Sequence, residues 1–180
     1  MDLDALMRCV GTTSCVVTQL TSGMIIGMLL FLIASGVTLI FGVLNVINFA
    51  HGSLYMIGAY AAWTFYQLTG SYFVSALGAA VAVGVLGVLF ERFLMSKVYG
   101  SNVLMQLLVC YAVVLISDDL IKIIWGPVSL SMGMPVEFRL PPLRFFGGVV
   151  PPFYIFMIVA AMAIGLLLWL VIARTRFGSR

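Results

Sequence analysis

The chain has 180 residues, 63% of them hydrophobic and only 8% charged, with a net charge of +3. Soluble domains carry about 25% charged residues, so a water-facing surface is excluded and the composition is that of a membrane protein. No Asp, Glu, Lys or Arg lies between Arg8 and Glu91. That interval is long enough for three crossings, at about 20 apolar residues each.

The start is acidic, with Asp2 and Asp4, and leads into an apolar stretch from about Val16 to Val43. A cleavable leader has a basic start and a short apolar core, so this stretch reads as a membrane anchor. The first span is expected over Val17 to Phe41, about 37 Å at 1.5 Å per residue. Gly23 and Gly27 form a G-x-x-x-G pair, a spacing that lets helix backbones approach closely in lipid. Gly58 with Ala62, Gly78 with Ala82, and Ala80 with Gly84 repeat the small-residue theme. Gly23, Gly27, Gly58 and Gly84 are therefore the expected packing positions.

The segment from Asn45 to Ser53 is the most informative. It places Asn45, Asn48 and the chain's lone histidine, His51, beside Gly52 and Ser53. It reads as a helix break followed by a fresh helix N-terminus. Free N–H groups at such an end carry about half a positive charge, and broken helices in transporters aim them at anionic groups. A substrate carboxylate near Gly52 or Ser53 fits that physics. The plainer reading has Asn48 or Ser53 capping the second span, Ser53 to Leu68, with His51 bonded to a neighbouring helix.

The third span is expected over Val74 to Phe90, closed by Glu91 and Arg92, and the fourth over Val103 to Trp125. Asp118 and Lys122, four apart, can face each other on one helical turn; with Asp119 they sit about one turn from Trp125 and read as an interfacial ion pair. Trp63, Tyr66 and Tyr72 read as aromatic-belt residues. All six prolines fall between Pro127 and Pro152, so 126–152 is expected to be a non-helical outer loop, because proline breaks helices. Its alternation from Val136 to Leu140 suggests a short strand. The fifth span is expected over Phe153 to Ala173, followed by the basic flank Arg174, Arg176 and Arg180.

Five spans make this an all-α, polytopic transmembrane helical bundle in one domain, 1–180. Arg92, Lys97, Arg174, Arg176 and Arg180 then share one side, against Arg8, Arg139 and Arg144 on the other. The positive-inside rule puts the C-terminus in the cytoplasm and the N-terminus outside, with Arg92, Lys97, Arg174 and Arg176 anchoring the interface. Cys9, Cys15 and Cys110 form no C-x-x-C pair. Cys9 and Cys15 are close enough to pair in an oxidising compartment, but are read as unpaired small apolar residues. There is no P-loop, no H-E-x-x-H and no cluster of metal ligands, so the reading is a non-enzyme with no cofactor, no metal and no nucleic-acid partner.

The run from Gly36 to Tyr60, with its core Ile47-Asn48-Phe49-Ala50-His51-Gly52 followed by Tyr55-Met56-Ile57-Gly58-Ala59-Tyr60, resembles the permease subunits of branched-chain amino acid ABC importers. Relatives in that family carry urea and short amides. Glu91-Arg92 and the run Arg174-Thr175-Arg176-Phe177-Gly178 agree in order and position. The resemblance implies a permease working with a second permease subunit, two cytoplasmic ABC ATPase subunits and a periplasmic substrate-binding protein, in the lipid bilayer of the bacterial inner membrane. It places Asn45, Asn48, His51, Gly52, Ser53 and Tyr55 at or near the translocation pathway. Family members continue past the basic flank into an ATPase-docking loop and further spans, so this sequence reads as the N-terminal part of such a permease. Two other readings stand beside it. One is a proton-linked secondary transporter or channel using His51 or Asp118 and Asp119; the other is a non-transporting membrane assembly protein.

Overall fold

The computed structural model describes residues 11–44, 48–139, 141–145 and 148–174. Helix α1 spans Thr13–Leu44, α2 His51–Thr69 and α3 Tyr72–Phe90. A π-helical stretch, Glu91–Met95, and a single turn, α4 (Ser96–Val98), prolong α3. Helix α5 spans Val103–Trp125 and α6 Pro152–Arg174. The fold class is thus all-α, as composition required. Among the described residues, three helical stretches, Thr13–Gly42, Tyr72–Val98 and Pro152–Arg174, are long and apolar enough to cross a membrane, against the five spans expected from the sequence. The more polar α2 and α5 pack in the unit described first below.

The boundaries follow local chemistry. Gly70 adopts φ 67° and its N–H returns to the Tyr66 carbonyl at 2.8 Å, ending α2. Gly126 ends α5 in an extended positive-φ conformation, φ 90° and ψ 171°, with its N–H on the Lys122 carbonyl; of the two, Gly70 is the left-handed helical cap. Left-handed glycine after the last turn is the standard way to satisfy orphan carbonyls. Pro152 opens α6, where its missing N–H costs nothing. Hydroxyls inside the apolar helices bond back to their own turns: Thr18 to Ser14, Thr21 to Val17 and Thr64 to Tyr60, all at 2.8–2.9 Å. Each is satisfied locally, so none needs water.

Two features differ from the sequence expectation. The third span does not end at Glu91; the helix runs on to Val98, because no glycine or proline interrupts it before Gly100. In addition, Val136–Phe138 is a 3-10 turn, not a strand. The strands are β1 (Leu143–Phe145) and β2 (Gly148–Val150), antiparallel, with Leu143 opposite Val150 and Arg144 opposite Val149.

The chain divides into two units, residues 37–137 and residues 1–36 with 138–180. In the first, α2 and α3 form an antiparallel hairpin. A Cβ on Gly58 would stand 3.1 Å from Val83 Cγ2, and one on Gly78 would stand 3.0 Å from the Phe65 ring. Trp125 of α5 donates its indole N–H to Thr64 Oγ1 at 2.9 Å and packs on Tyr60 with ring centroids 5.4 Å apart. In the second unit, a Cβ on Gly165 would approach Phe31 Cε1 to 2.9 Å. Phe138 meets Phe153 of α6 edge-on and Phe156 at a tilt, with ring centroids 5.2 and 4.7 Å apart.

Of the expected packing glycines, Gly58 alone would bring an added Cβ against a neighbouring helix among the described residues. Gly23, Gly27 and Gly84 face open space among the described residues. Spacing marks where close approach is permitted; the partner surface decides whether it occurs. Large apolar side chains such as Leu20, Leu77 and Ile123, all more than two-thirds exposed, cover the outer faces, as lipid-facing helices require.

Candidate functional site at the helix restart

The restart of the chain at α2 is built from polar groups set into an apolar neighbourhood. Asn48 turns the backbone by accepting the Ala50 N–H on its Oδ1 at 3.0 Å. The His51 N–H bonds the Asn48 carbonyl at 3.3 Å and the Leu54 N–H the Ala50 carbonyl at 3.1 Å. Ala50 occupies the N-cap position and contributes no side-chain cap. Neither Asn48 nor Ser53 therefore caps α2 in the usual way; Asn48 acts one step earlier, as an Asx turn. At 19 residues, α2 is about 28 Å long, close to the hydrocarbon thickness of about 30 Å.

Beneath the turn lies a small core of Ala50, Met95 and Cys110, all at most 1% exposed, flanked by Phe90, Val98 and Val113. The Cys110 thiol reaches Asn48 Oδ1 at 3.8 Å and Met95 Sδ at 3.9 Å. Helix α5 thus locks the Asn48 turn from one side and the π-helical stretch locks it from the other. Cys110 is a free, buried thiol. Cys15, by contrast, is disulfide-bonded, which corrects the expectation that it is unpaired; Cys9 lies outside the described residues.

The residues read as pathway-lining are distributed unevenly. Ser53 is buried, His51 and Asn48 are half-buried, and Gly52 and Tyr55 are exposed. Asn48 and Ser53 lie toward the interior, whereas Tyr55, 53% exposed, points away from it. Asn45 lies outside the described residues. Arg92, Lys97 and Arg174 are exposed, and Arg176 lies outside the described residues. Lys122 and Asp118 form an ion pair at 2.5 Å with both side chains about half exposed, and Asp119 is exposed. Exposed pairs of this kind contribute little.

Beside Asn48 opens a cavity of about 180 Å³, lined by Ile40, Asn48, Leu54, Phe90, Glu91 and Tyr99, among others. The Tyr99 hydroxyl donates to Glu91 Oε1. Partial burial first, then the hydrogen bond to Glu91 and its negative charge, push the Tyr99 hydroxyl up to about 12. It stays protonated, and so a donor, across the physiological range. Glu91 and Tyr99 were not among the residues singled out for the pathway. The signal was present all the same: Glu91 is the sole acidic residue between Asp4 and Asp118.

Apolar helices of membrane-crossing length, with a polar discontinuity built into one packed unit, define a multi-pass membrane protein. The family described as branched-chain amino acid transport system, permease component, matches residues 19–180. The chain belongs to that family.

It is similar to the high-affinity branched-chain amino acid transport system permease protein BraD of Pseudomonas aeruginosa, 33% identical over 99 residues. That match covers 50% of this chain and 32% of the relative. It is also similar to the permease protein LivH of Escherichia coli K12, 30% identical over 130 residues, covering 67% of this chain and 42% of that protein. LivH of Salmonella typhimurium is 31% identical over 85 residues, or 47% of this chain and 26% of the relative. The matched regions span less than half the length of these relatives. No solved structure matches the chain.

Proposed function

We propose that this chain forms part of the translocation pathway of an ABC importer for branched-chain or related amino acids. In this reading it pairs with a second permease subunit, receives substrate from a periplasmic binding protein, and is driven by two cytoplasmic ATPases. ATP hydrolysis belongs to those partners. The observation that carries the reading is the Asn48–Ser53 restart, where a helix N-terminus without a side-chain cap, a buried Ser53 and a half-buried Asn48 and His51 stand in an otherwise apolar unit. Polar groups set into apolar surroundings are costly unless they are bonded, and in membrane proteins they mark substrate pathways. The relatives' transport of branched-chain amino acids names the substrate class.

The N-terminus belongs outside and the C-terminus in the cytoplasm of a bacterial inner-membrane protein. The charge asymmetry supports this, and so does the disulfide at Cys15, since disulfides persist in oxidising compartments. A single experiment tests both assembly and orientation. Intact cells are treated with a membrane-impermeant lysine reagent, and the full gene product is then affinity-isolated. An ATPase and a second membrane subunit are expected to co-isolate, with Lys97 unmodified. Isolation of the chain alone would favour the gradient-driven transporter or the assembly protein, and modification of Lys97 from outside would reverse the orientation.

A further inference from the structure

The cavity beside Asn48 has one wall of each chemical kind. Ile40, Leu54 and Phe90 give it an aliphatic and aromatic lining, while Asn48, Glu91 and Tyr99 give it a polar edge. Its volume, about 180 Å³, is roughly six times the share of one water in the liquid. Glu91 is half-buried and has no cationic partner among the described residues, where the only ion pair is Lys122 with Asp118.

A half-buried carboxylate at the rim of an apolar cavity is costly unless it is paired or hydrogen-bonded. Tyr99 satisfies one oxygen, Oε1. A carboxylate has about four lone-pair positions, so Oε2 remains available to a second donor. Asn48 Oδ1 is committed to the Ala50 N–H and the Cys110 thiol, which leaves its amide NH₂ as a donor. The cavity therefore offers an acceptor for a cation, a donor for an anion, and an apolar surface beside them. The π-helical stretch begins at Glu91 itself, and such departures from α-helical geometry are frequent at functional sites.

We infer that Glu91 is the ammonium-binding group of a substrate subsite in this cavity, taking an aliphatic α-amino acid as its zwitterion. The ammonium group sits on Glu91 Oε2, with Tyr99 holding the carboxylate in place through Oε1. The aliphatic side chain lies against Ile40, Leu54 and Phe90, and the substrate carboxylate faces the Asn48 amide. The inference rests on the transport reading above and adds the residue that recognises the amino group.

The test uses the full-length gene product reconstituted with its binding protein, second permease and ATPases, and L-leucine as the probe. Wild-type complex is assayed first; absence of ATP-dependent uptake there would count against the transport reading itself and so be distinguishable from failure of the subsite. Given wild-type uptake, Glu91→Gln is expected to lower it about tenfold or more, the scale of one charge-assisted hydrogen bond. Glu91→Asp is expected to recover part of the loss, and Arg92→Gln, one residue away and exposed, to leave uptake unchanged. Glu91→Gln uptake within twofold of wild type would overturn the subsite. If Glu91→Gln does not assemble, Leu54→Cys decides. Leucine delivered by the binding protein should slow modification of that thiol by a small methanethiosulfonate reagent, and an unchanged rate would overturn the proposal.

Discussion

Single side chains fix the connections between elements, and Glu137 shows how. Its carboxylate accepts the Tyr72 N–H at 2.7 Å, so a residue of the proline-rich loop caps the N-terminus of α3 from 65 positions away. The adjoining Val136 N–H donates to the Tyr66 hydroxyl at 3.2 Å. The carboxyl of Glu137 is held below its ordinary value by hydrogen bonds from its own N–H and from that of Tyr72. The sign of the pH dependence follows. A carboxyl whose value is lowered by folding contributes stability above its unfolded value, and that contribution is lost as pH falls through the folded one. Acidification below the ordinary carboxylate range is therefore expected to release the loop, and Glu137→Gln to weaken its docking at neutral pH. Hydrogen exchange at Tyr72 reads both. Protection that is unchanged in Glu137→Gln would mean the carboxylate does not hold the loop. Sequence spacing could not reveal this contact, because nothing local to Glu137 marks its partner.

At the scale of elements, the hydrophobic pattern and the breakers were highly legible. The helix expected over Val103 to Trp125 has the observed bounds of α5, although α5 is not among the candidate membrane spans, and the proline cluster falls between α5 and α6. What misled was charge. Glu91 and Arg92 look like the end of a span, yet helix stops where backbone breakers stand, and the first of these is Gly100. The strand was misplaced for a related reason. The five-residue alternation from Val136 carries little information, while the hairpin at 143–150 is set by its own pairing. Packing glycines were partly legible, since their spacing is common and their partners are not encoded nearby. Gly58 and Gly84 make that difference measurable. Gly58→Leu must push Val83 away, and overpacking of this kind costs about 1–3 kcal/mol. Gly84→Leu meets open space and is expected to be nearly neutral. Thermal stability in detergent compares them, and equal losses would contradict the assigned α2–α3 contact.

For the whole molecule, composition alone assigned the membrane class, and the run around His51 carried the family. The candidate site was only half legible. Asn48 and Ser53 belong to the restart of α2, and the cavity beside Asn48 is completed by Ile40 of α1, Glu91 of the π-helical stretch and Tyr99 just after α4. Their convergence is a property of tertiary packing and has no local signature. A polar edge beside an apolar wall suits the proposed substrate, a zwitterion with an aliphatic side chain. The proposed passage of such a substrate is coupled to ATP. The most direct test is uptake of labelled L-leucine into proteoliposomes holding the full-length gene product, its second permease and its ATPases, with binding protein added outside. The account predicts uptake that requires ATP and binding protein and is indifferent to a proton gradient. Uptake driven by the gradient, by this chain alone and without ATP, would contradict it.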